Sequence, residues 1–375
     1  MKPRSCSNGR SPITAGKLPI MEQLDKLIFV FGFAALSWLV ALVLAKPFIS
    51  FLTRNKIGKQ IRATGVDGRD SPLFRALHIG KTGTPTMGGV LVWGTVLAMV
   101  GLSFIPQALG WVNYSLWNRA ETFIPLFTLI TCGLLGMLDD WYNIRGIGRH
   151  KGLHVRPKLI WLTVFAALGA WWFYTKLGCL DGVADACLVH LPRLGDFDIG
   201  LWYIPLFILV IIATSNAVNI TDGLDGLAGG LLAMAFGGFS VIAYFQGLFL
   251  LSTLCAAIVG ALFAFLWWNV PPAKFFMGDT GSYALGATLG VVAMLTDSIV
   301  PLFFIGGVFI LETLSVIIQL LSKRFLGRKV FLIAPIHHHF EKLGWPEHQV
   351  TMRFWLVGAV MTGLGVVLGI VGMGN

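Results

Sequence analysis

Charge is scarce in this chain. Asp, Glu, Lys and Arg make up 12% of its 375 residues, against the ~25% usual for a soluble domain. A soluble fold of this length could not hide the accompanying 56% of hydrophobic residues. Cysteine is also sparse: five are present, without the spacing of a metal site. Cys132 and Cys255 fall within apolar runs and read as packing residues. Cys179 and Cys187 share one loop and could pair in an oxidising compartment. The first 20 residues are basic and rich in Ser, Gly and Pro, and lack the apolar segment of a secretory signal. They read as a tail ahead of one domain at 21–375. No basic-aromatic module of a nucleic-acid reader is present. The net charge of +10 is therefore read by position, as membrane topology and anionic ligands.

What the chain has in abundance is apolar runs. Ten stretches are placed at roughly 27–45, 88–110, 122–138, 158–177, 201–218, 227–245, 249–268, 283–296, 299–321 and 351–373. Their lengths suit the hydrocarbon core of a bilayer. The expectation is an all-α polytopic membrane protein with ten transmembrane helices and both termini on one side. Loops 46–87, 139–157, 219–226, 269–282 and 322–350 carry most of the lysines and arginines, from Lys46 and Arg54 to Lys329 and Lys342. The opposite loops hold Arg119 and Arg193. The positive-inside rule makes the first set cytoplasmic. The basic tail argues the other way, but the loop asymmetry is larger.

The acids follow the same asymmetry. Asp139 and Asp140 end the third stretch, Asp222 and Asp225 follow the fifth, and Asp279 follows the seventh. One acid at a helix end is an ordinary solvated residue. Five on one membrane face, beside glycines and with few basic neighbours in sequence, suit a hard divalent cation such as Mg²⁺ with phosphate oxygens. The densest stretch is Ser215–Gly230, where Asn216, Asn219, Asp222 and Asp225 fall between two apolar runs. Polar groups at a membrane boundary are costly unless they face a wet cavity or a ligand, so this stretch reads as the floor of a site. Its Asp-Gly steps, and Gly278-Asp279-Thr280-Gly281, can present backbone N–H groups to an anion; each is also an ordinary turn.

Four further features carry chemistry. Lys81-Thr-Gly-Thr-Pro-Thr86-Met-Gly-Gly89 could hold a phosphate or be a plain loop leading into a helix. His337, His338 and His339 could bind a metal, contact phosphate or relay protons; adjacent residues do not face one way on a helix, which disfavours a zinc site built from them alone. Phe276 could stack on a base or insert into the interface. Glu312, inside the ninth stretch, could point into the site or pair within the bundle.

The segments KTGTPTMGG (81–89), LLGMLDDW (134–141), SNAVNITDGLDGLAGG (215–230), FLWWNVPPAKFFMGDTGS (265–282) and APIHHHFEKLGW (334–345) resemble, in order, the polyprenyl-phosphate N-acetylhexosamine-1-phosphate transferases. The triple histidine is more similar to the phospho-N-acetylmuramoyl-pentapeptide transferase branch than to the N-acetylglucosamine branch. The resemblance implies ten helices, a homodimer and a cytoplasmic active site open to the membrane lipid. It implies transfer of phospho-MurNAc-pentapeptide from UDP-MurNAc-pentapeptide to undecaprenyl phosphate with Mg²⁺. It implies that Asp139, Asp140 and Asp279 are essential acids, with Asp279 the foremost Mg²⁺ ligand and Asp139, Asp140 and Asn216 near it. Lys81, Thr86, Asn216, Asn219, Asp222, Asp225, Asn269 and Phe276 would line the nucleotide-sugar pocket. His337, His338 and His339 would be the catalytic-loop histidines. The stretch after Asp140 departs from the family pattern, leaving Arg145, Lys151 and Lys158 as candidate pyrophosphate cations. Two other classes fit the composition: an ion-coupled transporter and a nucleotide-sugar sensor. Transporter sites lie near the bilayer midplane, whereas these acids sit at one face.

Overall fold

The computed structural model describes residues 20–58, 81, 83–112, 114–118, 121–146, 152, 153, 155–176, 188–191 and 195–372. The tail at 1–19, Lys151, Cys179 and Cys187 lie outside the described residues. Helix α1 (Ile20–Arg54) is followed by α2 (Gly89–Leu102), the short α3 (Phe104–Ala108), α4 (Phe123–Arg145) and α5 (Val155–Lys176). A small antiparallel ribbon comes next, β1 (Leu188–Leu191) against β2 (Gly195–Asp198), which the all-helical reading did not contain. Then come α6 (Tyr203–Thr221), α7 (Leu227–Phe245), α8 (Phe249–Asn269), α9 (Asp279–Leu295), α10 (Ile299–Ile305), α11 (Gly307–Phe325), α12 (Ile336–Lys342) and α13 (Glu347–Gly372).

Each of the ten expected stretches is helical. Among the described residues, seven helices are long and apolar enough to cross a membrane, or eight if α10 and α11, bent by 77° at Gly306, form one span. The other two stretches are α5, whose first turns carry Arg156 and Lys158, and α9, which has 17 residues. A helix of that length reaches about 25 Å, short of the ~30 Å hydrocarbon core. The outer helices turn apolar side chains outward: Leu356 and Val360 of α13 are 69% and 65% exposed. A soluble protein could not tolerate such faces; lipid covers them without cost.

Helix α9 is the hub. Every residue from Thr280 to Met294 is buried, and the helix packs against α2, α4, α6 and α7. Small residues permit this enclosure, since interhelical packing in a membrane depends on close backbone approach. A Cβ on Gly89 would fall 2.2 Å from the backbone of Gly281, and one on Gly136 would fall 2.1 Å from the carbonyl oxygen of Asp279. A Cβ on Gly286 would fall 2.9 Å from the backbone of Ser215 on α6. Gly89→Ala is accordingly expected to destabilise the protein by about 3 kcal/mol, the upper range for overpacking. Thermal melting in detergent checks this; an unchanged midpoint would mean α2 and α9 can separate freely.

Several expected boundaries shift, with consequences for the site. The third stretch runs on to Arg145, because Trp141–Arg145 contains no breaker, and ends at Gly146 with φ 64°. Asp139 and Asp140 therefore sit on a helix rather than in a loop. Asn219 likewise lies inside α6, and Asp279 is the first residue of α9.

Candidate active site

Four helix ends meet around Lys158. Its Nζ donates to Asp139 Oδ2 at 2.6 Å and to Asp279 Oδ2 at 2.8 Å. Asn219 donates from Nδ2 to Asp279 Oδ1 at 2.9 Å and to Ser282 Oγ at 2.8 Å. The second oxygen of Asp139 accepts the Leu153 N–H. Asp139 is 2% exposed, so its charge would be very costly without a partner. One ammonium thus holds together two carboxylates that would otherwise repel.

Asp140 serves a different end. Its Oδ1 accepts the Asp279 N–H at 3.2 Å, and its Oδ2 accepts the Thr280 N–H at 3.0 Å and the Thr280 hydroxyl at 2.7 Å. It satisfies the first free N–H groups of α9, and its charge complements the positive end of that helix. The approach requires glycine at 278: φ is 74°, and a Cβ there would lie 2.4 Å from Asp140 Oδ2.

A second cluster lies across the turn between α6 and α7. Lys81 Nζ donates to Asp225 Oδ1 at 2.7 Å and to Glu347 at the start of α13. Asp225 Oδ2 accepts the Ala273 N–H at 3.0 Å, and Glu347 accepts the Asp225 N–H at 2.7 Å. Burial alone would pull the Lys81 ammonium down, but the carboxylates of Glu347 and Asp225 outweigh it and raise its pKa above the usual lysine value. Asn269 accepts the Gly226 N–H at 3.0 Å and donates to the Phe275 carbonyl at 2.8 Å. Half-buried Phe276 places its ring 6.0 Å from Lys81 Nζ. Its backbone pairs with the loop before α2, donating to Pro85 and accepting from Gly88, both at 2.8 Å. In that loop the buried Thr86 hydroxyl has no hydrogen-bond partner. Asp222 caps the C-terminus of α6, in sequence between Asn219 and Asp225.

The three histidines turn to three partners from α12. His337 Nδ1 is 2.9 Å from Glu312 Oε2, His338 Nδ1 is 2.6 Å from Glu341 Oε2, and His339 Nδ1 accepts the Leu332 N–H at 3.2 Å. They do not converge on one point, as expected for adjacent helical residues.

A profile of glycosyl transferase family 4 matches residues 122–297, which include Asp139, Lys158, Asn219, Asp225 and Asp279. The phospho-N-acetylmuramoyl-pentapeptide transferase of Geobacillus sp. (strain WCH70) is 40% identical over 348 residues, 92% of this chain and 98% of its own. That of Chloroflexus aggregans (strain MD-66 / DSM 9485) is 39% identical over 347 residues, 90% of this chain and 89% of its own. That of Geobacillus thermodenitrificans (strain NG80-2) is 39% identical over 335 residues, 88% and 95% respectively. The chain belongs to the phospho-N-acetylmuramoyl-pentapeptide transferase family.

Within this transferase, the structure sorts the residues that the sequence grouped together. Of the three candidate cations, Lys158 reaches the acids, whereas the Arg145 guanidinium lies 4.6 Å over the Trp141 ring. Lys81 sits with Asp225 and Glu347 rather than beside Asp279. Asn216 donates its amide to the Ile212 carbonyl of its own helix at 2.7 Å. Among the described residues, no group of three or more His, Cys, Asp and Glu side chains converges as a complete metal-ligand set. Glu347 and Ser282 were not anticipated. An acid in the first turn of the last span, at Pro346-Glu347-His348-Gln349, was the available signal for the former.

Proposed function

We propose that the protein transfers phospho-MurNAc-pentapeptide from its UDP carrier to undecaprenyl phosphate, giving undecaprenyl-diphospho-MurNAc-pentapeptide and UMP. The observation that carries this reading is the convergence of Asp139, Lys158, Asn219 and Asp279 at one end of the bundle. The basic loops at that end support a cytoplasmic site in the inner membrane. A homodimer is part of the same proposal.

The reaction exchanges one phosphoanhydride for another, so its obstacle is electrostatic: two anions must meet. The donor set around Lys158 fits Mg²⁺ in kind, being hard carboxylate oxygens already gathered about one positive charge, with phosphate oxygens and water to complete the coordination. Asp279 and Asp139 would hold the ion. When bound, it supplies charge neutralisation on the diphosphate. Lys158 contributes a fixed positive charge beside those acids. Asn219 keeps the Asp279 carboxylate oriented. Asp139 orients the acceptor phosphate or accepts its proton. Asp225, Asn269 and Phe276 bind the uridine, with Lys81 offsetting the acids around it. The unpartnered Thr86 hydroxyl supplies a further polar contact.

The test is direct. Purified protein given UDP-MurNAc-pentapeptide, polyprenyl phosphate and Mg²⁺ is expected to release UMP, and chelation is expected to stop it. UDP-N-acetylglucosamine in place of the muramoyl donor tests the sister reaction. No UMP from either donor would overturn the transferase reading. Radiolabel retained on the protein without lipid acceptor would establish a two-step path through an aspartyl phosphosugar.

A further inference from the structure

The last helix grips one turn of the chain. Glu347, Thr351 and Trp355 are spaced by four along α13 and therefore share one face. Each bonds the main chain at Asp225 and Gly226. Glu347 Oε1 accepts the Asp225 N–H at 2.7 Å, the Thr351 hydroxyl donates to the Asp225 carbonyl at 3.1 Å, and Trp355 Nε1 donates to the Gly226 carbonyl at 3.2 Å. A neutral acceptor could also take the Asp225 N–H. The charge of Glu347 has a different use. The same Oε1 accepts from Lys81 Nζ, which also donates to Asp225 Oδ1. Two carboxylates flank one ammonium.

Exposure sets the three apart. The Asp225 side chain is 6% exposed, and its second oxygen is taken by the Ala273 N–H. Lys81 is 23% exposed and Glu347 21%, with the Phe276 ring near the ammonium. Lys81 is thus the open donor of the trio. Its flexible four-carbon stem carries about 2 kcal/mol of rotamer entropy. A single carboxylate lets such an ammonium swing about it; two, carried by separate segments, fix its position. A site ordered in advance binds more tightly, because less freedom is lost on binding.

We infer that Glu347 is a positioning residue for the uridine end of the donor: it holds the Lys81 ammonium and the Asp225 turn in the geometry that the nucleotide binds. This rests on the uridine assignment proposed above. Glu347 acts through Lys81, so its effect falls on nucleotide binding and spares the transfer step.

Glu347→Gln keeps an acceptor for the Asp225 N–H and removes the charge from Lys81. Calorimetric titration of UMP into the full chain in detergent is expected to show Kd raised about 10-fold, the scale of one charged hydrogen bond. The KM for the nucleotide sugar is expected to rise by the same factor, with kcat and the KM for polyprenyl phosphate held at wild-type values. Lys81→Gln removes the group through which Glu347 acts. Adding Glu347→Gln to it is expected to weaken UMP no further; a merely structural role would weaken UMP equally in both backgrounds. The inference is overturned if Glu347→Gln binds UMP as wild type does, if the weakening recurs in the Lys81→Gln background, if both substrates' KM values rise together, or if kcat falls with KM unchanged. Should Glu347→Gln fail to fold, Glu347→Asp, which draws the carboxylate back by one methylene, goes through the same cycle with the same deciding outcomes. UMP that does not bind the wild-type protein would overturn the uridine assignment itself, and this inference with it.

Discussion

Asp279→Asn is expected to release no measurable UMP while melting close to wild type. The side chain bonds Lys158 through one oxygen and Asn219 through the other. An asparagine fits the same space and removes one negative charge. The Asp279 side chain is 20% exposed, so water takes up the donor that the amide –NH₂ displaces, and Lys158 then balances Asp139 alone, one charge against one; the fold is retained. Turnover loses the carboxylate proposed to neutralise the diphosphate through a cation. Losses from such fixed electrostatics run to about 10³-fold for a single donor, and the loss of a principal ligand is expected to reach at least that. UMP release across a Mg²⁺ series, together with a melting curve, decides. Wild-type Mg²⁺-dependent turnover in this variant would remove Asp279 from the proposed metal site.

Asp140→Asn is expected to fail differently. Its carboxylate accepts from the Asp279 N–H, the Thr280 N–H and the Thr280 hydroxyl. An amide keeps one acceptor and turns an –NH₂ toward a donor. At least one buried donor at the start of α9 is then stranded, at about 1–3 kcal/mol. The variant should melt lower than wild type and lose activity because Asp279 is displaced, with partial recovery on cooling. Full stability with abolished turnover would instead place Asp140 among the reacting groups, as the family resemblance implies.

Much of the architecture was legible because hydrophobic run length is a strong signal. The stretch 227–245 coincides with α7, and 249–268 ends within one residue of α8. The failures share a cause. Helices α4 and α6 carry polar side chains past their apolar runs, since hydrogen bonding to neighbouring helices removes the reason to stop. Helix α9 looked like a short span with ragged ends; its role as the hub depends on glycines whose close contacts lie far apart in sequence. The acids were found by their clustering at one face. Their division of labour was not, because whether Asp139 or Asp140 faces Lys158 depends on helix rotation. Lys81 resembled a phosphate lysine by its loop, yet Glu347, distant in the chain, draws it into another cluster.

The glycine contacts at 89, 136 and 278 carry one more implication. Asp279 is set in place by main chain pressed against main chain at Gly89 and Gly136, and by the Asp140 side chain pressed against Gly278. That end of the molecule therefore has almost no slack: small substitutions there propagate into the backbone instead of being absorbed. Adaptation to a different donor sugar or peptide has to arise in the connections at 222–226, 270–277 and 326–335, while the corner that carries Asp279 stays a fixed datum from which those segments are measured.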